Sequence, residues 1–440
     1  MVVVNQPARP SFGHKRYVVR RVAIIVIVAL AWAWIATAVL FMWHSSKQVP
    51  SATNVPVVKP LKHPHLRAGD EPYYEEQRVM VLKRPKYETP TLLFTCSRAE
   101  YLDQALADVI KYIPKTCEVG CPLIISQDGD NEAVKEVIQK YQATNKHGIP
   151  IVHIQHEPLP RTKNNNNAYQ TLAVHYGWAL EQTFSGNATG NHYPKPKRLI
   201  ILEEDLRVAP DFFDYFKAMA PLLDSDSTLM AISAFNDNGK ESNVQDAARV
   251  VRSDFFPGLG WMMTKALWDN ELASKWPSGY WDDWLRDPEQ RLGRQFLRPE
   301  VSRTFHFGTK GGASGNQFGE LLSKIALNHV KVDWSRQDLT HLYPSAFDRE
   351  YWDLISTAKV ETEVKVAKEE SKFHNVRIEY ANFAAFKKLA QLLDLMDDEK
   401  AGVPRTAYKG VVELRPHGHH ILFLTPPLGI LKNELHQSRQ

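Results

Sequence analysis

Cysteine is scarce in this chain, with three in 440 residues: Cys96, Cys117 and Cys121. So few thiols exclude a disulfide-framed fold and fall short of a four-cysteine zinc site. An oxidising compartment would permit one pair, with Cys96 joining Cys117 or Cys121; three small buried hydrophobes are the alternative. Acid is missing from the start of the chain, where Arg9, Lys15, Arg16, Arg20 and Arg21 all precede the first carboxylate, Asp70. Charge of either sign is missing from residues 22–43. A stripe of Lys and Arg interleaved with stacking aromatics is also missing, and a net charge of +4 is small for this length, so nothing points to nucleic acid. No internal repeat occurs. The one N-glycosylation sequon is Asn187-Ala188-Thr189.

With 43% hydrophobic and 24% charged residues, the chain is otherwise of ordinary globular composition. The uncharged run 22–43 is long enough to cross the hydrocarbon core of a bilayer as a helix. Arg20 and Arg21 before it, against His44 and Lys47 after it, predict a cytosolic N-terminus and a luminal body, a type II topology. A cleaved signal peptide fits less well, because Trp32, Trp34 and Trp43 are unusual in one. Closely spaced prolines from Pro50 to Pro85 mark a stem over 44–87. From Thr89 on, short apolar runs alternate with helical patterns. Strands are expected at 91–95, 122–126, 150–154, 198–202 and 229–232, and helices at 99–113, 133–141, 166–184 and 210–223. This pattern predicts an α/β fold with a mostly parallel sheet covered on both faces, and a ligand site at the carboxyl edge of the strands. An aromatic-rich stretch follows from Phe255 to Trp284. After residue 330 the chain turns more polar, with a helix expected over 382–395 and strands over 410–414 and 420–424. The expected order is therefore a cytosolic tail (1–21), anchor (22–43), stem (44–87), catalytic domain (88–330) and small C-terminal α+β domain (331–440).

The sharpest local chemistry is Glu203-Glu204-Asp205, three acids directly after the apolar strand RLIIL. Oxygen ligands at a sheet mouth suit Mn²⁺ or Mg²⁺ and would offset charge developing on a diphosphate; a charged loop start ahead of Pro210 is the plain alternative. Asp128 in SQDG is placed to accept from a nucleobase N–H, or simply to cap a turn. Arg98, at the end of the first strand, would converge on the same edge and reach a phosphate. In Trp281-Asp282-Asp283-Trp284, indoles that stack on sugar rings bracket carboxylates fit for general-base work; a helix start with core tryptophans fits the same residues. The run GTKGGASG at 308–315 has no P-loop spacing, but its backbone N–H groups and Ser314 suit a loop over a diphosphate, or an ordinary linker.

Taken together, LLFTCSR, IISQDG, YGWALEQTF, LIILEEDLRVAPDFFDYF, FFPGLGWMM, YWDDWLRDPEQRLGR and RPEVSRTFHFG resemble the N-acetylglucosaminyltransferase I family of the Golgi, in order, over residues 88–345. The resemblance implies a GT-A fold and inverting transfer of GlcNAc from UDP-GlcNAc. The acceptor implied is the alpha-1,3-linked mannose of the five-mannose N-glycan on glycoproteins. Carried over by motif, Asp205 is implied as the Mn²⁺ ligand and Glu204 as a neighbour of the donor sugar. Asp128 is implied as the uracil-binding acid, Arg98 and His175 as nucleotide contacts, Ser314 as part of the loop over the diphosphate, and Asp282 as the catalytic base, with Asp283 its rival. Two positions depart from the family pattern: Gly129 stands where a cysteine is usual, and the middle acid is Glu204 rather than Asp. No disulfide pairing therefore transfers, and Cys121 remains an eligible partner for Cys96. A protein O-mannose beta-1,2-N-acetylglucosaminyltransferase shares this layout but usually carries an extra carbohydrate-binding module, for which the stem leaves no room. A membrane-anchored lectin or scaffold would need a broken site, whereas each motif position keeps a competent side chain.

Overall fold

The computed structural model describes residues 88–115, 117, 121–144, 148–158, 167–310 and 319–437. The predicted anchor, the stem and Ser314 lie outside them. Among the described residues, no helix is long and apolar enough to cross a membrane.

Three parallel strands form one side of the sheet: β1 (Thr91–Thr95), β2 (Leu123–Asp128) and, at the edge, β3 (Ile151–His156). A fourth, β4 (Arg198–Glu203), runs parallel to β1 on its other side. Their side chains alternate between two cores, as a pleat of period two requires. Leu93, Ile125, Ile200 and Leu202 face helices α1 (Ala99–Tyr112) and α2 (Glu132–Thr144) and the helix that follows β4. Leu92, Phe94, Ile124, Leu199 and Ile201 face α3 (Ala168–Ser185). The apolar stripes of α1 (Leu102, Leu106, Val109) and α3 (Ala173, Tyr176, Leu180) cover those faces and leave polar residues outward. After β4 come a short β5 (Leu206–Val208) and α4 (Phe212–Ser225), whose Phe212, Phe216 and Met219 extend the first core.

The near half of the sheet is parallel as expected, and the far half is mixed. Beyond β6 (Leu229–Ser233) and β7 (Val250–Ser253), the strand β8 (Trp261–Thr264) inserts antiparallel between β4 and β6. β9 (Gln295–Pro299) pairs parallel with β6 and antiparallel with β7, giving the order β3-β2-β1-β4-β8-β6-β9-β7. The physical reason is a tight reversal at Gly258-Leu259-Gly260, all three with positive φ, which turns the aromatic run Phe255–Trp261 straight back along β4. Next in chain order, α5 (Trp281–Arg286) lies near that rim, and β10 (Thr304–His306) pairs antiparallel with β5 in a two-stranded ribbon.

The C-terminal segment forms a four-stranded sheet of β11 (Lys359–Val360), β12 (Val376–Glu379), β15 (Val412–Leu414) and β16 (Leu422–Thr425), with a hairpin β13 (Glu399–Lys400) and β14 (Val403–Pro404). Within β16, Phe423 joins the core that holds Leu93 and Leu202, whereas Leu422 and Leu424 join Phe386 and Ala390 of α6 (Phe383–Leu392). One core therefore runs from the eight-stranded sheet into the smaller one.

The disulfide expectation is corrected. Cys117 bonds to Cys121, and Cys96 is a free, exposed thiol. Cys96 follows the carboxyl end of β1, whereas Cys121 precedes the amino end of the parallel strand β2, about 23 Å away along the pleat. Cys117 and Cys121, with Cα atoms 5.8 Å apart, lie in one loop and meet without crossing the sheet.

Candidate active site

The carboxyl ends of β1, β2 and β4 bring Arg98, Asp128 and the acidic triplet to one rim. Arg98 is held there by charge. Its Nε donates to Glu204 Oε1 at 2.7 Å and its Nη2 to Asp205 Oδ2 at 2.8 Å. Glu204 Oε2 accepts from the Thr95 hydroxyl and from the Cys96 amide at 3.1 Å. These bonds orient Glu204, which is buried and whose pKa burial raises against the pull of Arg98. Glu203 bonds instead to Tyr176 of α3 through Oε1, at 2.8 Å, and burial together with the charge of Asp205 raises its pKa.

Asp205 is the focus. Burial alone would raise its carboxyl, yet His306 and Arg98 hold it below the usual range. Its Oδ1 is buried and has no hydrogen-bond partner. A buried carboxylate oxygen with nothing bound to it is costly, and a cation is the natural partner. The ribbon of β5 and β10 sets His306 opposite Leu206, which puts Nε2 3.4 Å from Asp205 Oδ2. No group of three or more carboxylates, imidazoles or thiols forms a metal cage among the described residues. Asp205 Oδ1 would offer a divalent cation one oxygen donor, while His306 pairs with the other oxygen of the same carboxylate.

The glycine run begins against this carboxylate. A Cβ on Gly308 would stand 2.7 Å from Asp205 Oδ2, so only glycine lets the backbone pass. The next two residues are tied to α1, with Thr309 and Lys310 amides donating to the Tyr101 hydroxyl at 3.1 and 3.2 Å. The Lys310 carbonyl accepts from Arg98 Nη1. Ser314 lies beyond, outside the described residues.

Asp128 ends β2 and accepts from His156 Nδ1 at 2.7 Å; burial raises its pKa and His156 opposes the rise. His175 is enclosed behind this pair. It is 2% exposed, bonds Ser126 Oγ through Nε2 at 2.7 Å and stacks on His156. Burial, then His156, pushes its pKa down to about 3, so it is a neutral imidazole that braces the rim from inside.

A stack of rings links the acidic triplet to the second carboxylate pair. Tyr176, bonded to Glu203, stacks on Trp281 at 4.3 Å, and Trp281 stacks on Trp261 of β8 at 5.7 Å. Trp281 is therefore a buried spacer that fixes the start of α5. Asp282 and Asp283 follow it on the open side, and both accept from Arg286 Nη1, at 3.0 and 2.7 Å. Arg286 is itself locked by a bond from Nε to the Phe256 carbonyl. Lys400, from the β13–β14 hairpin, lies 4.0 Å from Asp283 and 3.5 Å from Asp287, so Asp283 shares two cations and Asp282 one. Burial, then Glu203 and the more distant charges of Asp205 and Asp282, raise the Tyr176 phenol well above its ordinary pKa.

Sequence reasoning did not find His156, Tyr176, His306 or Arg286 as site residues. Tyr176 lies in YGWALEQTF and His306 in RTFHFG, so both sat inside recognised motifs. Tyr176 and His306 act through contacts between elements distant in sequence, which leave no local signal, whereas Arg286 stands at helical spacing from Asp282 and Asp283 and could have been found from it.

Residues 67–436 match the model of the GNT-I family. The alpha-1,3-mannosyl-glycoprotein 2-beta-N-acetylglucosaminyltransferase of Arabidopsis thaliana is 41% identical over 343 residues, 78% of this chain and 74% of that protein. Among solved structures, residues 1–349 of S. aureus TarS in complex with UDP-GlcNAc align with a TM-score of 0.35 at 12% identity, covering 69% of this chain and 81% of that one. The mannosyltransferase PcManGT from Pyrobaculum calidifontis, in complex with GDP-Man and Mn²⁺, aligns with a TM-score of 0.30 at 11% identity, covering 52% and 64%.

Proposed function

The chain belongs to the GNT-I family, and from that premise we propose that it moves GlcNAc from UDP-GlcNAc, in beta-1,2 linkage, to the alpha-1,3-linked mannose of the five-mannose N-glycan. The observation that supports the reading is the ring stack of Tyr176 on Trp281, which ties Glu203, next to Asp205 with its unpartnered buried oxygen, to the start of the helix that bears Asp282.

In this reading the fold is GT-A, and the transfer is a single displacement. Asp282 takes the proton of the mannose 2-hydroxyl, that oxygen bonds to the anomeric carbon of GlcNAc, and the bond from that carbon to the UDP oxygen breaks with inversion. Arg286 aims the Asp282 carboxylate. Arg98 exchanges its carboxylate partners for a donor phosphate, and Asp128, braced by His156, accepts from the uracil. Glu204, anchored by Thr95 and Cys96, lies beside the donor sugar. Asp205, with His306 beside it, would hold Mn²⁺, which when bound supplies charge neutralisation for the diphosphate leaving group. The uncharged run 22–43 behind Arg20 and Arg21 supports a single-pass anchor in the Golgi membrane with this body luminal.

The test is to incubate the full chain with UDP-GlcNAc, Mn²⁺ and either a five-mannose N-glycan or an O-mannosyl peptide, and to read product by mass. A single GlcNAc added to the N-glycan is expected. Labelling of the peptide alone would assign the chain to the O-mannose pathway's chemistry instead, and absence of any transfer would leave a lectin-like role.

A further inference from the structure

Tyr280 combines three features that no packing requirement explains. Its backbone is left-handed, with φ 50° and ψ 45°, a conformation that is strained for a bulky residue. Its side chain is not buried in return: at 47% exposure it is among the most open large aromatic residues. Yet the ring is not loose. It stacks on Tyr169 of α3 at 4.6 Å with an angle of 23° between planes, and its hydroxyl accepts from Asn167 Nδ2 at 2.7 Å. The preceding residue, Gly279, packs on Gln170, so the whole approach lies against the first turn of α3.

A strained, pinned and exposed aromatic ring marks a prepared surface rather than a core. One face is spent on Tyr169 and the edge on Asn167; solvent has the remaining face. Two residues on stands Asp282, and Tyr169 lies within the field of that same carboxylate, which together with burial raises its phenol. An aromatic face held at fixed orientation loses little entropy on binding, and it suits the C–H face of a pyranose.

Resting on the reading of Asp282 as the base, we infer that the Tyr280–Tyr169 pair is the acceptor platform, on which the mannose ring stacks so that its 2-hydroxyl meets Asp282. Tyr280 is then a specificity-determining residue for the acceptor and has no part in holding the nucleotide sugar. The platform selects a terminal mannoside by the shape of its ring face, and the hydrogen bond to Asn167 keeps the ring from swinging off Tyr169.

Glycine is the informative replacement, because it removes the ring and relieves the positive φ together. In the full chain, Tyr280→Gly is expected to raise the acceptor KM about tenfold or more, to leave the UDP-GlcNAc KM within about twofold, and to keep the melting temperature within about 3 °C of wild type. Tyr280→Phe, which keeps the ring and loses one hydrogen bond, should stay within about threefold of the wild-type acceptor KM. Saturation-transfer NMR with methyl α-mannoside should show transfer to the pyranose in wild type and its loss in Tyr280→Gly. An acceptor KM within twofold of wild type in Tyr280→Gly, an equal rise in both KM values, or a melting temperature lowered by 8 °C or more would each overturn the platform. If the wild type gives no turnover, the functional reading fails by itself, while the mannoside NMR still decides the platform.

Discussion

Arg98 Nη2 stands 2.8 Å from Asp205 Oδ2 while the other oxygen of that carboxylate is buried without a partner. The guanidinium thus compensates two buried acids, Glu204 and Asp205, at the place where a cation and a diphosphate would meet. Breaking such a pair leaves charge uncompensated, which is worse than never having had it.

Arg98→Gln should therefore lower the melting temperature in metal-free buffer and enlarge the upward shift that Mn²⁺ alone produces, because a divalent ion can now satisfy both acids. UDP affinity should fall about tenfold from loss of a charge-assisted phosphate contact. Thermal shift with and without Mn²⁺, and calorimetry with UDP, read the two effects separately.

Asp282→Asn should reduce kcat by about a hundredfold or more, the usual worth of a positioned base, with Mn²⁺-dependent UDP affinity unchanged. Asp283→Asn is expected to retain most activity, since Asp283 is held between two cations, Arg286 and Lys400, whereas Asp282 is held by Arg286 alone. Steady-state kinetics on both variants decides between them; the reverse ranking would make Asp283 the base.

His175 gives a pH prediction. Its folded pKa, about 3, lies below the ordinary 6.5, because Ser126, Phe94, Trp178 and His156 enclose it. The unfolded chain binds the proton first, so the stability due to this group is complete above about pH 6.5 and is lost as pH falls towards 3. The slope from one such proton is about 1.4 kcal/mol per pH unit. Urea unfolding between pH 7 and 4.5 should show it, and His175→Gln should remove one proton's worth of that slope.

Much of this was legible beforehand because strand ends are local facts. The runs TLLFT and RLIIL read as buried parallel strands, and whatever follows such strands must reach the same edge, which is why Arg98, Asp128 and Asp205 converge. The strand β8 was not legible. Its four residues continue an aromatic run with no alternation, and its place comes from pairing with β4, Ile201 opposite Trp261, and with β6, Ser233 opposite Trp261, both far away in sequence. His306 was hidden for the same reason, since β10 reaches Asp205 only by pairing with β5. The cysteines misled because spacing says nothing about which edge of the sheet a thiol occupies.

Gly308 offers the most local test of Asp205 as the proposed metal ligand. Alanine there would put a methyl 2.7 Å from Asp205 Oδ2, closer than carbon and oxygen can approach, and Asp205 cannot retreat because it is boxed by Arg98 and His306. The carboxylate must rotate, which turns its unpartnered Oδ1 away from the rim. Gly308→Ala is thus expected to weaken Mn²⁺ binding about tenfold or more, read by electron paramagnetic resonance of the free ion, and to weaken UDP binding only when Mn²⁺ is present. Asp205→Ala should abolish the same metal-dependent component entirely. Since Gly308 has an ordinary negative φ, backbone strain cannot produce either effect, and a Gly308→Ala chain that binds Mn²⁺ as wild type does would remove Asp205 from the metal site.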